Sequence, residues 1–252
     1  MVVNPCSVCG ASRTRWLEQR PLRCQAAPTA GPPRKDCVLK TITFYLDFIS
    51  PYAWLAFHAL PQALEGISHR MVHKPVLFGA MLKHHGHLGP AEIPAKRDWT
   101  YRQVLWLARQ QGCELTLPTA HPFNPLGLLR LAMACDAEGE PSRYICEQIF
   151  RHVWCSGEDA ADPDRLTLLT RQLMPLRDPA SAEVKQDLQD HTSQAIAQGL
   201  FGVPSLVVDD RLFWGQDALP MLRAYLQGDD WFEGPDWHAG QRTAVGVRRQ
   251  GS

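Results

Sequence analysis

Asp47-Phe-Ile-Ser-Pro-Tyr-Ala-Trp-Leu55 is the stretch on which the reading of this chain turns. Thr41-Ile-Thr-Phe-Tyr-Leu46 runs into it, β-branched and aromatic as strands are. Beyond it Leu55, Ala56, Ala59, Leu60, Ala63 and Leu64 recur at helical spacing, which predicts a helix over 52–64. Ser50 suits its N-cap and Pro51 its first position. Pro61, inside it, is expected to kink it. Ser50 taken alone is a plain helix cap. The alternative is a corner where the helix N-terminus holds an anion, and the two uses compete for one hydroxyl.

Working outward, His69–Phe78 reads as a second strand. From Gly79 to Gln198 the pattern is helical, around 79–85, 95–111, 124–138, 141–154, 164–174 and 181–198, punctuated by Pro, Gly and Asp. Pro204–Val208 and Arg211–Trp214 then form two short strands across an Asp209-Asp210 turn. Asp217 is expected to cap a last helix that stops at Gly228. The order β-α-β, helical block, α-β-β-α predicts an α/β chain, a thioredoxin-like fold with a long all-helical insertion. Its halves are expected at 39–78 and 192–228, the insertion at 79–191, an unstructured head at 1–38 and a loose tail at 229–252.

Lys and Arg together number 26, equal to Asp plus Glu, so bulk charge makes no case for nucleic acid. The head is nonetheless basic: Arg13, Arg15, Arg20, Arg23, Arg34, Lys35 and Lys40 face only Glu18 and Asp36, and the rest of the chain balances it. No apolar run approaches the roughly 20 residues of a membrane helix, and no secretory signal is visible. A cytoplasmic protein is expected; an Arg-rich, acid-poor head also resembles a mitochondrial transit peptide. Translation starting near Val38 would remove it. Cys6, Cys9, Cys24 and Cys37 lie in that head, where Cys6-Ser-Val-Cys9 has zinc or redox spacing but no second such pair. Cys113, Cys135, Cys146 and Cys155 stand singly in helical sequence and read as small hydrophobes.

In a thioredoxin-like fold the first strand-to-helix corner carries the chemistry, because free N–H groups at a helix N-terminus stabilise an anion. A thiolate placed there has a lowered pKa. This corner reads Ser50-Pro-Tyr-Ala53 with no cysteine, which excludes dithiol chemistry at the site. What remains is binding an exogenous thiolate, with glutathione the obvious soluble thiol and Ser50 Oγ–H the donor. Gly202-Val203-Pro204-Ser205 leads into a strand of the second half. A cis Val203–Pro204 bond is expected there, leaving backbone free to pair with a peptide-like ligand. Asp217, in Trp214-Gly-Gln-Asp217, could meet a γ-glutamyl amino group or simply cap its helix.

Together DFISPYAWLAF, PVLFGAMLK, AEIPAKR, HPFNPLGLLR and GVPSLVVDDRLFWGQDAL resemble the 2-hydroxychromene-2-carboxylate isomerases, over residues 40–228. That family is glutathione-dependent and related to kappa-class glutathione transferases and DsbA-like disulfide oxidoreductases. The resemblance implies a homodimer with glutathione as cofactor and an aromatic 2-oxo acid or chromene carboxylate as substrate. It places the catalytic serine on Ser50 and the glutathione backbone contact on Val203 beside Pro204. The γ-glutamyl clamp falls on Trp214, Gly215, Gln216 and Asp217, and a substrate-side lysine on Lys83.

Two departures touch the substrate side: His87 stands where many members have Asn, and Trp99 where Tyr is expected. Arg97 is a candidate for a substrate carboxylate. Asn124 is a further candidate on that side, with loop structure as its alternative. His84, His85 and His87 invite a metal, but with no acidic or thiol ligand in the segment they read as solvated loop histidines and no metal is expected. His87 could serve as a hydrogen-bonding or acid–base group near neutral pH. The implied reaction is a glutathione-assisted cis–trans isomerisation; a kappa-type transferase or peroxidase, or a glutathione-binding module without catalysis, are the alternatives.

Overall fold

The alternation of Ile42, Phe44 and Leu46, each without solvent exposure, makes Lys40–Leu46 the central strand β1 of a computed structural model that describes residues 39–244 and 246. The readings made for residues 1–38, including Cys6, Cys9, Cys24 and Cys37, lie outside the described residues. From β1 the chain turns through the corner into α1 (Pro51–Ala63) and returns as β2 (His69–Pro75), parallel to β1 with Lys40 opposite His69 and Leu46 opposite Pro75. The strand is shorter than the expected His69–Phe78. Proline cannot donate to a ladder, and Phe78 already opens the next helix.

Six helices follow before the sheet resumes: α2 (Phe78–His84), α3 (Pro94–Gln111), α4 (Leu126–Ala134), α5 (Arg143–Trp154), α6 (Pro163–Leu173) and α7 (Ala182–Ala197). β3 (Ser205–Val208) then runs antiparallel to β1, with Tyr45 opposite Ser205, and β4 (Arg211–Trp214) antiparallel to β3, with Ser205 opposite Trp214. The strand order is β2-β1-β3-β4. The β3–β4 turn places Asp209 and Asp210 at φ 50° and 61°, the left-handed pair that a tight hairpin needs. Lys40 and the Tyr225 hydroxyl both bond the Asp209 carboxylate and hold its pKa below the ordinary value. The chain is thus a thioredoxin-like α/β fold with helices inserted between its halves.

The core is aromatic around α1. Phe57 and Phe150 lie with ring centroids 5.2 Å apart, and Phe48 and Phe150 4.8 Å apart. The two buried indoles are satisfied: Trp154 donates to the Phe48 carbonyl at 2.9 Å and Trp54 to that of Glu114 at 2.9 Å. Pro61 lies in the last turn of α1, so the Phe57 carbonyl has no helical N–H to accept from. The Arg143 guanidinium supplies the missing donor at 3.2 Å and lies 4.1 Å over the Phe57 ring. Arg143→Met, which keeps the apolar stem, is therefore expected to lower unfolding free energy by about 2 kcal/mol, a lost charged hydrogen bond plus a cation–π contact. Urea denaturation reads this; an unchanged midpoint would show that the proline-freed carbonyl needs no partner.

Two expectations are corrected here. Asp217 does not cap a helix: it sits exposed in a 3-10 turn, Gln216–Ala218, and α8 (Leu219–Leu226) starts after it without a side-chain cap. Nor is the segment after Gly228 loose over its first part. Asp229 caps a further 3-10 turn, Asp230–Glu233, and α9 (Pro235–Arg242) follows. Phe232 is buried, with its ring 5.1 Å from Tyr225 and 5.3 Å from Trp237, and Arg211 donates to its carbonyl at 2.6 Å. The apolar surface of Phe232 and Trp237 holds this segment to β4 and α8 despite its polar, glycine-containing composition. No described helix is long and apolar enough to cross a membrane.

Candidate functional site

The register of the sheet decides what meets at the Ser50 corner. β1 and β2 are parallel and both end there, at Leu46 and Pro75. β3 begins there, because Ser205 pairs with Tyr45, and β4 ends there, because Trp214 pairs with Ser205. One edge of the sheet thereby carries Ser50, Val203, Pro204 and the run Trp214 to Asp217. The Val203–Pro204 bond is cis, as the sequence led us to expect, and so is His121–Pro122. The Gly215 N–H donates to the Pro204 carbonyl at 2.9 Å.

Ser50 is the N-cap of α1, and its Oγ accepts from the Ala53 N–H at 3.2 Å. A serine hydroxyl has two acceptor positions and one donor. Capping uses an acceptor, and among the described residues the O–H has no acceptor of its own. The expected competition between capping and anion binding therefore does not exist: Ser50 can cap α1 and donate outward together. The residue is buried, 7% exposed.

Trp214 is half exposed and forms a shelf against Phe201, ring centroids 4.8 Å apart. Gly202 permits that shelf, since a Cβ there would lie 2.8 Å from Trp214 Nε1. Gly215, at φ 97°, takes a conformation closed to other residues and turns the chain sharply into Asp217. The turn carrying Asp217 packs against α1. The Tyr52 phenol, pushed up first by burial, is raised further by the Asp217 charge.

Lys83, in the last turn of α2, His87 just beyond it and Arg97, in the first turn of α3, are all exposed, with no ion-pair partner among the described residues. Among the described residues no hydrogen bond joins them to Ser50. Asn124 is used structurally: its Oδ1 accepts from the Leu126 N–H at 3.1 Å at the start of α4. Of the histidine cluster, His85 bonds the Leu200 carbonyl through Nε2 at 3.2 Å, and no metal-holding group occurs among the described residues. Cys113, Cys135, Cys146 and Cys155 are unpaired, and burial pushes every one of their thiols up, Cys113 to about 12 and Cys135 and Cys155 to about 11. None of them supplies a thiolate near neutral pH.

Three residues that sequence reasoning passed over tie this corner down. Asp47 is wholly buried, and its two oxygens accept from the Ile49 N–H at 3.1 Å and the Phe78 N–H at 2.9 Å. Burial pushes its carboxyl up to about 7, against the pull of those N–H groups. His121 bonds the Ile49 carbonyl through Nε2 at 2.8 Å, and the Tyr101 hydroxyl lies 2.8 Å from its Nδ1. A buried acid at the head of the corner segment was the available signal for Asp47. Nothing local announces His121 or Tyr101.

A thioredoxin-like sheet whose first helix is capped by a serine rather than a cysteine, with a cis-proline leading into β3, defines the class of fold. The chain belongs to the family of the DSBA-like thioredoxin domain, whose model matches residues 41–227. It is 26% identical over 195 residues to the 2-hydroxychromene-2-carboxylate isomerase of Sphingobium xenophagum, covering 74% of this chain and 98% of that protein. To glutathione S-transferase kappa 1 of Rattus norvegicus it is 24% identical over 210 residues, covering 76% and 92%. A solved 2-hydroxychromene-2-carboxylate isomerase superposes with a TM-score of 0.64 at 20% identity, covering 78% of this chain and 98% of that one.

Proposed function

We propose that the chain is a glutathione-dependent isomerase that interconverts 2-hydroxychromene-2-carboxylate and trans-o-hydroxybenzylidenepyruvate, or a closely related aromatic 2-oxo acid. The observation that carries this is the Ser50 hydroxyl, engaged as an acceptor by α1 and left with its O–H to donate at the helix N-terminus. The residues fit glutathione as a set. Val203, before the cis-proline, offers backbone to a peptide-like ligand; Trp214 offers a flat apolar wall; Asp217 offers a carboxylate to an ammonium group. When bound, glutathione supplies a thiolate that adds reversibly to the conjugated carbon, so that the former double bond can rotate before it re-forms. Ser50 and the N-terminus of α1 hold that negative charge, and with it the proton-free form of the thiol. Lys83, with Arg97, is assigned the substrate carboxylate, and His87 a hydrogen bond on the substrate side. Asn124 is left to the loop before α4. A homodimer follows from the resemblance, and light scattering at micromolar concentration measures it.

The test is the thiol itself. Absorbance near 240 nm, titrated with protein present, is expected to move the glutathione pKa from about 8.5 to between roughly 6 and 7.5. No saturable binding, or a bound thiol with an unmoved pKa, would overturn the reading. A kappa-type transferase is the second reading, supported by the comparable identity to the rat kappa enzyme. Chlorodinitrobenzene separates them: steady conjugate formation, with glutathione consumed, favours the transferase. Isomer interconversion at constant glutathione favours the isomerase. Binding without either marks a non-catalytic module.

A further inference from the structure

The peptide that precedes Ser50 is gripped from both sides. Its carbonyl, that of Ile49, accepts from His121 Nε2 at 2.8 Å, and the N–H of the peptide before it, that of Ile49, donates to Asp47 Oδ1 at 3.1 Å. The Ser50 N–H donates to the Asp47 carbonyl at 3.1 Å. A carbonyl can only accept, so His121 carries its proton on Nε2; burial lowers its pKa, and in the neutral ring Nδ1 is an acceptor. The acceptor at Nδ1 is met by the Tyr101 hydroxyl at 2.8 Å. Tyr101 also lies 3.1 Å from the His121 carbonyl, so its one proton can serve either acceptor. The imidazole is fixed in space as well, its ring centroid 5.4 Å from that of Trp154 and 6.0 Å from that of Phe123.

These contacts join parts of the chain that are distant in sequence: His121 reaches Ile49 across 72 residues, Tyr101 stands on α3, and Asp47 extends the grip to the start of α2 through the Phe78 N–H. A helix N-cap needs none of this, since Ser50 caps α1 through Ala53 alone. The groups facing His121 are the Tyr101 phenol and, beyond it, the Arg97 guanidinium, whose charge lowers the Tyr101 pKa against the burial that raises it.

We propose that His121, held as its Nε2–H tautomer by the Ile49 carbonyl and seated by Tyr101, is the positioning residue of the thiol site: it fixes the Ile49–Ser50 peptide and so aims the Ser50 hydroxyl and the first N–H groups of α1 at one point. The inference rests on the glutathione reading for its consequence, while the grip itself is a property of the free protein. His121 is assigned no contact with thiol or substrate. It acts through one peptide plane.

The test uses the full chain without and with glutathione. In the free protein, imidazole 15N shifts are expected to show a neutral ring protonated at Nε2, and Tyr101→Phe is expected to keep that tautomer, which the Ile49 carbonyl requires, while loosening the seat of the ring. His121→Phe is expected to raise amide exchange of Ser50 and Ala53 at least tenfold, and His121→Gln, whose amide nitrogen can still reach the Ile49 carbonyl, to restore protection. With glutathione, His121→Phe is expected to raise the bound-thiol pKa towards its free value and to lower kcat roughly 10- to 100-fold with KM less affected, and His121→Gln to recover most of that. Should His121→Phe be unstable, Tyr101→Phe carries the same readouts in smaller measure. Unchanged exchange at Ser50 would overturn the grip. Changed exchange with an unmoved thiol pKa and kcat would reduce His121 to a structural group. If the wild-type chain binds no glutathione, the functional reading falls by itself, and the exchange result still decides the grip.

Discussion

Ser50→Ala is expected to lower kcat for isomerisation by about 10²- to 10³-fold, the loss found when one preorganised donor to a developing anion is removed. The same change strips the N-cap of α1, because Oγ is the acceptor for the Ala53 N–H, and should cost about 1 kcal/mol of stability. The two effects separate with a second variant. Glycine is a tolerable N-cap, a few tenths of a kcal/mol below serine, and Ser50→Gly leaves the buried corner no more crowded. If the hydroxyl donor matters to the thiolate, Ala and Gly variants lose the same activity while differing in melting temperature. The bound-thiol pKa should rise with the activity loss in both. If activity follows stability, or if either variant turns over near the wild-type rate under conditions where it is folded, Ser50 is a cap and nothing more.

The legibility of this chain follows the range of its interactions. Ser50-Pro51 is a local signal, and the structure places the N-cap and the first helical residue there. The strands and helices were legible because their apolar residues alternate or recur within a few positions. Asp217 misled because a carboxylate before Leu219 has the look of a cap, whereas the left-handed Gly215 inserts a 3-10 turn and leaves Asp217 outside the helix. The segment 230–242 reads as loose from its polarity, although Phe232 and Trp237 supply enough apolar surface to dock it. Asp47 lay in plain view in the decisive stretch, but the Phe78 N–H that shares its carboxylate is 31 residues away. His121 is further still, and no periodicity ties an imidazole in a proline-rich loop to the carbonyl of Ile49. The cis bond at Val203–Pro204 was foreseen from the thioredoxin-like pattern rather than from its own residues. Local chemistry thus marked the corner, and long-range hydrogen bonds that fix it became visible only with the fold.

Asp47→Asn is the complementary test, because its effect should change with pH in a way no other described group reproduces. The folded-state pKa of Asp47 is about 7 against an ordinary 3.8. Between those values the folded protein holds a proton that the unfolded chain has released. Stability contributed by this proton is complete below pH 3.8 and is lost as pH rises to about 7. Roughly three pKa units correspond to an upper bound of about 4 kcal/mol. His73 and His191 act with the opposite sign: burial lowers both to about 4, so the folded state resists their protonation and loses stability as pH falls from 6.5. In the wild-type curve the contributions oppose one another. In the difference between wild type and Asp47→Asn the histidines cancel, since both proteins carry them. Asparagine keeps one acceptor oxygen for two N–H groups, a fixed cost independent of pH. Urea denaturation from pH 4 to 8 should therefore show the variant gaining on the wild type by up to about 4 kcal/mol as pH rises, most steeply between pH 5 and 7. A difference that stays flat would mean that Asp47 is ionised throughout, its charge held by the N–H groups of Ile49 and Phe78 against the cost of burial.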